Sequence, residues 1–274
     1  RLLSQPELAY AVINVNDPEH KNWLVNIPKT TSVVLYGQNI NAADVPSEYQ
    51  YCVANNIRYT AEGIALSVQS SWGECELRLL LLAEFNVSNV LAAICSQLCL
   101  GKSLKQIAYI VQKLKPVIGR MELYSRQNHA TIVVDYAHTP DALEKALLAS
   151  KQHCHGKLFC VFGCGGERDG GKRSLMGEIA ERLSNKVILT DDNVRSEDPK
   201  DIIQDILAGC INPEQVLVEH DRKTAIKAAV KRACAGDIIL VAGKGHENYQ
   251  IIGNQTLAYD ERQFVALLQE GKTV

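Results

Sequence analysis

Apolar residues recur along this chain in two rhythms. In the first third, short apolar or alternating runs at 11–15, 32–36, 63–68 and 77–82 are closed by turn residues and read as strands. Val87, Val90, Leu91, Ile94 and Leu98 then fall at helical spacing within 86–100, with Gly101 as the C-cap. A second helix is predicted over 103–114, with Ser103 as its N-cap. Pro116 to Gly119 breaks the pattern, and a domain boundary is expected there. Beyond it the rhythm changes. Strands at 131–136, 157–163, 186–190, 215–219 and 237–242 alternate with helices at 140–151, 172–183, 199–207 and 221–233. These strands are near-continuous apolar runs, as strands buried on both faces are. Repeated strand–helix units predict an α/β fold with a doubly wound, mostly parallel, Rossmann-like sheet. Ligands of such sheets bind beyond the carboxyl ends of the strands.

Composition narrows the function classes. A length of 274 residues fits two domains. The formal net charge of −2 gives no global field for nucleic acid or a membrane surface, so neither is expected as a partner. Nine cysteines are an odd number, and Cys95, Cys99 and Cys160 sit in apolar runs, which predicts reduced thiols in a reducing, cytoplasmic setting. Cys154, Cys160 and Cys164 lie near His153 and His155, but no C-x-x-C pair exists and no metal site is expected. No run of about 18 apolar residues occurs, and no signal peptide is recognisable. The chain opens on Arg1 rather than Met, so a preceding segment is expected.

The chemistry gathers where the doubly wound pattern puts strand ends. After the first of those strands comes Asp135-Tyr136-Ala137-His138-Thr139-Pro140. After the second come Gly163-Cys164-Gly165-Gly166-Glu167-Arg168-Asp169 and then Lys172 and Arg173. Asp191-Asp192-Asn193-Val194-Arg195 follows the third, and Gly243-Lys244-Gly245-His246-Glu247 the last. Four strand ends thus combine glycines, which permit close backbone approach, with charges of both signs. Each piece alone has a plainer reading. Gly165-Gly166 suits a tight strand-to-helix turn, and His138 suits a helix entry. Arg195 suits a solvated surface and Glu247 a loop cap. Gly163-x-Gly165 is followed by Arg168 where a dinucleotide fingerprint needs glycine, so a Rossmann cofactor site is rejected.

Taken together, these motifs resemble the Mur ligases, and within them the branch that attaches the third peptide residue. The resemblance covers essentially the whole chain. It rests on 134–143, on Phe162-Gly163-Cys164-Gly165-Gly166, on Asp192-Asn193-Val194-Arg195 and on Ala242-Gly243-Lys244-Gly245-His246-Glu247. Asn14-Val15-Asn16-Asp17 and Phe85-Asn86-Val87-Ser88-Asn89 carry it into the first third. It implies that 1–116 is the later part of a central ATP-binding domain and that 117–274 is the C-terminal domain holding the incoming amino acid. The implied reaction is ATP-dependent: phosphorylation of the D-glutamyl carboxylate of UDP-MurNAc-L-Ala-D-Glu, then attack by the amine of meso-diaminopimelate on the acyl phosphate. ATP and Mg²⁺ are the implied cofactors, and the enzyme is expected to be a monomer of the bacterial cytoplasm.

By the same resemblance, Arg168, Asp192, Asn193, Val194, Arg195, Gly243 and Glu247 form the diaminopimelate pocket. Arg120, His138 and Lys172 are the catalytic side chains facing the nucleotide. Asn86, Asn89 and Asp135 lie on the ATP side. An arginine at 195 favours diaminopimelate over lysine, because a substrate without the distal carboxylate leaves the guanidinium unpaired. Three positions depart from the family pattern: Val194 and Ser174 stand where proline is common, and Ala83 where glycine usually precedes the Phe-Asn pair. The Gly-x-x-x-x-Gly-Lys-Ser/Thr phosphate loop does not occur in the 274 residues. The family carries it upstream, together with a UDP-sugar domain, so this chain is expected to be a C-terminal portion, inactive alone. Two alternatives remain: a non-catalytic amino-acid-binding fragment, or a related ligase, either another Mur ligase or one of the folylpolyglutamate synthetase type.

Overall fold

The computed structural model describes residues 2–272 and divides into two compact units. The first takes in the chain up to Tyr59 together with Gly63–Lys115. The second takes in Thr60–Glu62 and everything from Pro116 onward.

The first unit is built on β1 (Tyr10–Asn14), α1 (His20–Leu24), β2 (Ser32–Gln38), β3 (Gln50–Thr60), β4 (Gly63–Ser70), β5 (Gly73–Leu79), α2 (Glu84–Cys99) and α3 (Leu104–Val111). Its five strands pair in chain order, with β1, β2 and β3 parallel and β4 antiparallel to β5. The sheet packs its face on α2 and α3. Val34, Cys52, Leu66 and Leu77 meet Val87, Leu91 and Ile94 in one cluster. Each such side chain contributes roughly 1.5–3 kcal/mol by leaving water. The helix ends follow their sequence signals. Gly101 takes a left-handed φ of 79°, its N–H bonds Leu98 O, and the Lys102 N–H bonds Gln97 O, which closes α2. Ser103 and Gln106 form a reciprocal capping box on α3. The longest strand, β3, was not apparent in the pattern. Its second half, Asn55-Asn56-Ile57-Arg58, is polar, and tertiary pairing rather than periodicity makes it a strand.

The second unit follows as β6 (Glu122–Tyr124), β7 (Thr131–Asp135), α4 (Pro140–His153), β8 (Leu158–Phe162), α5 (Gly171–Leu183), β9 (Lys186–Leu189), α6 (Pro199–Leu207), β10 (Leu217–Val218), α7 (Arg222–Arg232), β11 (Ile238–Ala242), the hairpin β12 (Tyr249–Ile252) and β13 (Gln255–Ala258), and α8 (Glu261–Gln269). The sheet order is β10-β9-β8-β11-β7-β6, parallel throughout except for β6. This is the doubly wound arrangement expected from the alternation. All five residues of β7, β8 and β11 are buried, so their unbroken apolar sequences match their double-sided burial. The strand expected at 215–219 shrinks to two residues behind a 3₁₀ turn at Pro213–Gln215. The hairpin and α8 were not foreseen.

Candidate functional site

The carboxyl ends of β7, β8, β9 and β11 meet at one cleft of about 440 Å³. Its lining is Tyr136, His138 and Thr139 after β7, Gly165, Arg168, Asp169 and Lys172 after β8, Asp192, Asn193 and Arg195 after β9, and Gly243 and Glu247 after β11.

Two backbone devices bring these loops together. The Gly166 N–H donates to Asn193 O at 2.9 Å, and a Cβ on Gly166 would stand 2.0 Å from Val194 O. Only glycine permits that approach. The β12–β13 hairpin then ties down the 192–195 loop. Gln250 Nε2 donates to Asp192 O at 3.0 Å, the Ile251 N–H to Asn193 Oδ1 at 3.0 Å, the Arg195 N–H to Ile251 O at 3.2 Å, and the Gly253 N–H to Arg195 O at 2.7 Å. Arg195 is held at a left-handed φ of 54°, a conformation that costs a non-glycine residue of order 1 kcal/mol or more. Its Nη1 donates to Gly166 O at 2.8 Å and Asn193 O at 3.2 Å, which fixes the guanidinium at the cleft wall.

The floor is charged and buried. Lys244 Nζ, wholly inaccessible, donates to Asn193 Oδ1 at 2.6 Å and to Glu247 Oε2 at 3.4 Å. It also lies 2.9 Å from Asp192 Oδ1, an ion pair without hydrogen-bond alignment. Burial pushes the Asp192 carboxyl up, but the neighbouring Lys244 ammonium and Arg222 guanidinium outweigh it and hold the group below its ordinary value. Arg222 is itself buried, bonded to Ala242 O at 2.8 Å and paired with Glu261, which also accepts from the Tyr259 hydroxyl at 3.1 Å. Arg173, in the opening turn of α5, is buried. It bonds Asp205 at 2.9 Å, Glu197 at 2.7 Å and Gly165 O at 3.3 Å, and so braces the β8 turn.

At the other side of the cleft, Lys172 Nζ donates to His138 O at 2.7 Å. His138 is exposed, with Nδ1 2.9 Å from Tyr136 O. The Tyr136 ring carries His138 at 4.7 Å, His246 at 4.9 Å and the Arg120 guanidinium at 4.6 Å.

Eight of the thirteen expected site residues therefore line one cleft, and Arg120 stacks on another lining residue, Tyr136. The remaining four are not among its lining residues. Val194 is buried and its side chain does not line the cleft; its carbonyl packs on Gly166 instead. Asp135 spends both carboxylate oxygens on the Met121 and Ala137 N–H groups at 2.8 Å, so it shapes the β7 loop. Asn86 and Asn89 belong to the first unit, on the opening turns of α2, where Asn86 Nδ2 donates to Leu82 O at 2.6 Å and Asn89 to Asn86 at 3.3 Å. Lys244 and the hairpin were missed. A lysine between two glycines gives no hint in sequence that it turns inward. Among the described residues no cluster of three His, Cys, Asp or Glu is placed to hold a metal ion, and no helix is long and apolar enough to cross a membrane.

The loops of this parallel sheet hold fixed guanidinium and carboxylate groups at one cleft, and comparison with known proteins supplies the class. The chain belongs to the Mur ligases: residues 1–97 match the Mur ligase middle domain and residues 119–245 the Mur ligase glutamate ligase domain. Within that family it is 45% identical, over 98% of its length, to the UDP-N-acetylmuramoyl-L-alanyl-D-glutamate--2,6-diaminopimelate ligase of Vibrio cholerae. It covers 53% of that protein, so the chain spans about half the length of the curated relative it matches. A solved structure of a ligase of the same name superposes with a TM-score of 0.79 at 37% identity, covering 99% of this chain and 55% of the other. The MurF ligase of Thermotoga maritima in complex with ADP shares the fold, with a TM-score of 0.57 at 17% identity over 98% of this chain and 54% of its own. Ligases of this family use ATP.

Proposed function

We propose that the chain is the C-terminal portion of a bacterial, cytoplasmic ligase that joins meso-diaminopimelate to UDP-MurNAc-L-Ala-D-Glu at the expense of ATP, and that its cleft holds the incoming diaminopimelate. The observation that carries this reading is the pairing of Arg195, its guanidinium fixed by two carbonyls, with the buried-based Glu247 in one cleft. Diaminopimelate has a carboxylate and an ammonium at each end. Arg195 and Arg168 supply forked donors for a carboxylate, and Glu247 supplies an acceptor for an ammonium. Lysine has no distal carboxylate and leaves an arginine unpaired. Holding the amino acid rigidly turns amine attack into an effectively intramolecular step.

Arg120, His138 and Lys172 suit the phosphates of ATP. Arg120 is exposed and braced on Tyr136, Lys172 spends one donor on His138 O and keeps two, and His138 keeps Nε2. These groups would hold and screen phosphate charge; ATP, when bound, would supply the phosphoryl group that activates the D-glutamyl carboxylate. Magnesium finds no fit among these side chains. Asp192 is paired with Lys244, one oxygen each of Asp169 and Glu247 accepts a hydrogen bond from the Gly171 N–H and from Asn193, and among the described residues no three His, Cys, Asp or Glu gather to hold a metal ion.

Calorimetric titration of the chain with meso-diaminopimelate, with L-lysine as control, tests the reading. Saturable binding of diaminopimelate alone is expected. Arg195→Lys should weaken it by roughly 10–100-fold, because one point charge replaces a two-pronged donor. Equal binding of both amino acids, or unchanged affinity in Arg195→Lys, would refute the assignment.

A further inference from the structure

We infer that Lys244 is a positioning residue that sets the sense of the Asn193 amide and thereby presents Asn193 and Glu247 as a matched pair to the amino-acid ligand; this rests on the reading of the cleft just proposed.

The amide of Asn193 has two ways to sit, related by a flip that exchanges donor and acceptor. Here three contacts choose one. Oδ1 receives the Lys244 ammonium at 2.6 Å and the Ile251 N–H at 3.0 Å, while Nδ2 donates to Glu247 Oε2 at 3.0 Å. Flipping the amide would aim N–H donors at an ammonium and at another N–H, and would leave the Glu247 carboxylate facing a carbonyl. An ammonium has three donors and no acceptor, so it can only enforce the observed sense. Lys244 donates to Asn193 and Glu247 and holds Asp192 as an ion pair.

Charge counting gives the same assignment. The buried set holds two cations, Lys244 and Arg222, against Asp192 and Glu261, with Glu247 at the cleft as the remaining carboxylate. Glu247 therefore keeps its negative charge at the cleft, where an ammonium can pair with it. Without Lys244 the excess would fall on buried Asp192, and Asn193 would lose the contact that fixes it. The backbone around Lys244 is built to turn it inward. Gly243 and Gly245 flank it with φ of 117° and 50°, and a Cβ at 245 would meet Gly119 O at 2.7 Å and Tyr136 Cβ at 2.6 Å.

The test uses the whole chain and two readouts. The first, free of ligand, is the Asn193 side-chain amide proton pair observed by NMR, which reports the amide's sense and protection. The second is calorimetric affinity for meso-diaminopimelate. In Lys244→Met the amide pair should lose its dispersion and exchange protection, and affinity should fall at least about 10-fold. Removing the lysine strands Asp192, so a Lys244→Met/Asp192→Asn double variant, with its buried charges balanced, accompanies it and should behave alike. A folded variant whose Asn193 amide is unmoved overturns the proposal. Failure of both variants to fold also overturns it, because Lys244 would then be an element of stability alone. If the wild-type chain takes up no diaminopimelate while the Asn193 amide is lost in the variants, the positioning role stands and the reading of the substrate falls.

Discussion

Replacing Gly166 by alanine tests whether the cleft depends on one backbone contact. The new Cβ would lie 2.0 Å from Val194 O, 2.8 Å from Val194 C and 3.3 Å from Glu197 Cβ. The first two neighbours are backbone, so the 193–195 loop must retreat by more than an ångström. Overpacking of this kind costs about 1–3 kcal/mol. The same retreat stretches the Gly166 N–H to Asn193 O bond of 2.9 Å and the Arg195 Nη1 to Gly166 O bond of 2.8 Å, each contributing about 1 kcal/mol. The sum is roughly 3–5 kcal/mol. For a unit of this size that lowers the melting temperature by on the order of 10 °C. Arg195 moves with the loop, and a displacement of about 1 Å at a positioning group is enough for a loss of roughly 100-fold. Scanning calorimetry would follow the transition of the second unit, and titration with meso-diaminopimelate would follow the site. A variant that melts and binds like the wild type would show that the loop yields freely and that the glycine is no constraint on the site.

Three further outcomes are expected. Glu261→Gln removes the carboxylate that pairs with Arg222, whose side chain is wholly buried, and should cost about 3–5 kcal/mol in urea unfolding, as loss of one partner of a buried ion pair does; a cost below 1 kcal/mol would show that Arg222 is solvated after all. Ala83→Gly should stabilise the first unit by about 1 kcal/mol, because Ala83 is held at φ 72° and ψ 139°, a region that favours glycine; a lower melting temperature would refute the strain. Asp192 is held below its ordinary value in the fold, so the stability it contributes is present above the unfolded carboxylate range near about 3.9 and is lost as pH falls below it. Stability should fall on acidification below about pH 4, and Asp192→Asn should flatten that limb; an identical acid limb in the variant would assign it to other carboxylates.

Much of this protein is written locally. The second unit's strands announce themselves because β7, β8 and β11 are buried on both faces, which demands unbroken apolar runs that no other element of this length needs. Helix ends such as Ser103, Gly101 and Pro199 are legible because capping is decided by residues within four positions of each other. The strand-end motifs were legible too, since a doubly wound sheet gathers its carboxyl ends at one edge whatever its sequence. What local pattern does not carry is any feature set by partners distant in sequence. The β3 strand is half polar and exists because β2 and β4 flank it. The β12–β13 hairpin looks like a loop until Asn193 and Arg195 take up its N–H and C=O groups. The bond from the Met121 N–H, fourteen residues back, to the second oxygen of Asp135 is likewise invisible in the local pattern. Lys244 reads as surface, because a lysine is normally solvated; only the convergence of Asp192, Asn193 and Glu247 on one buried point offsets its desolvation and turns it inward. Composition and spacing thus determined which residues arrive at the cleft, and tertiary contacts alone decided which of them line it and which hold the others in place.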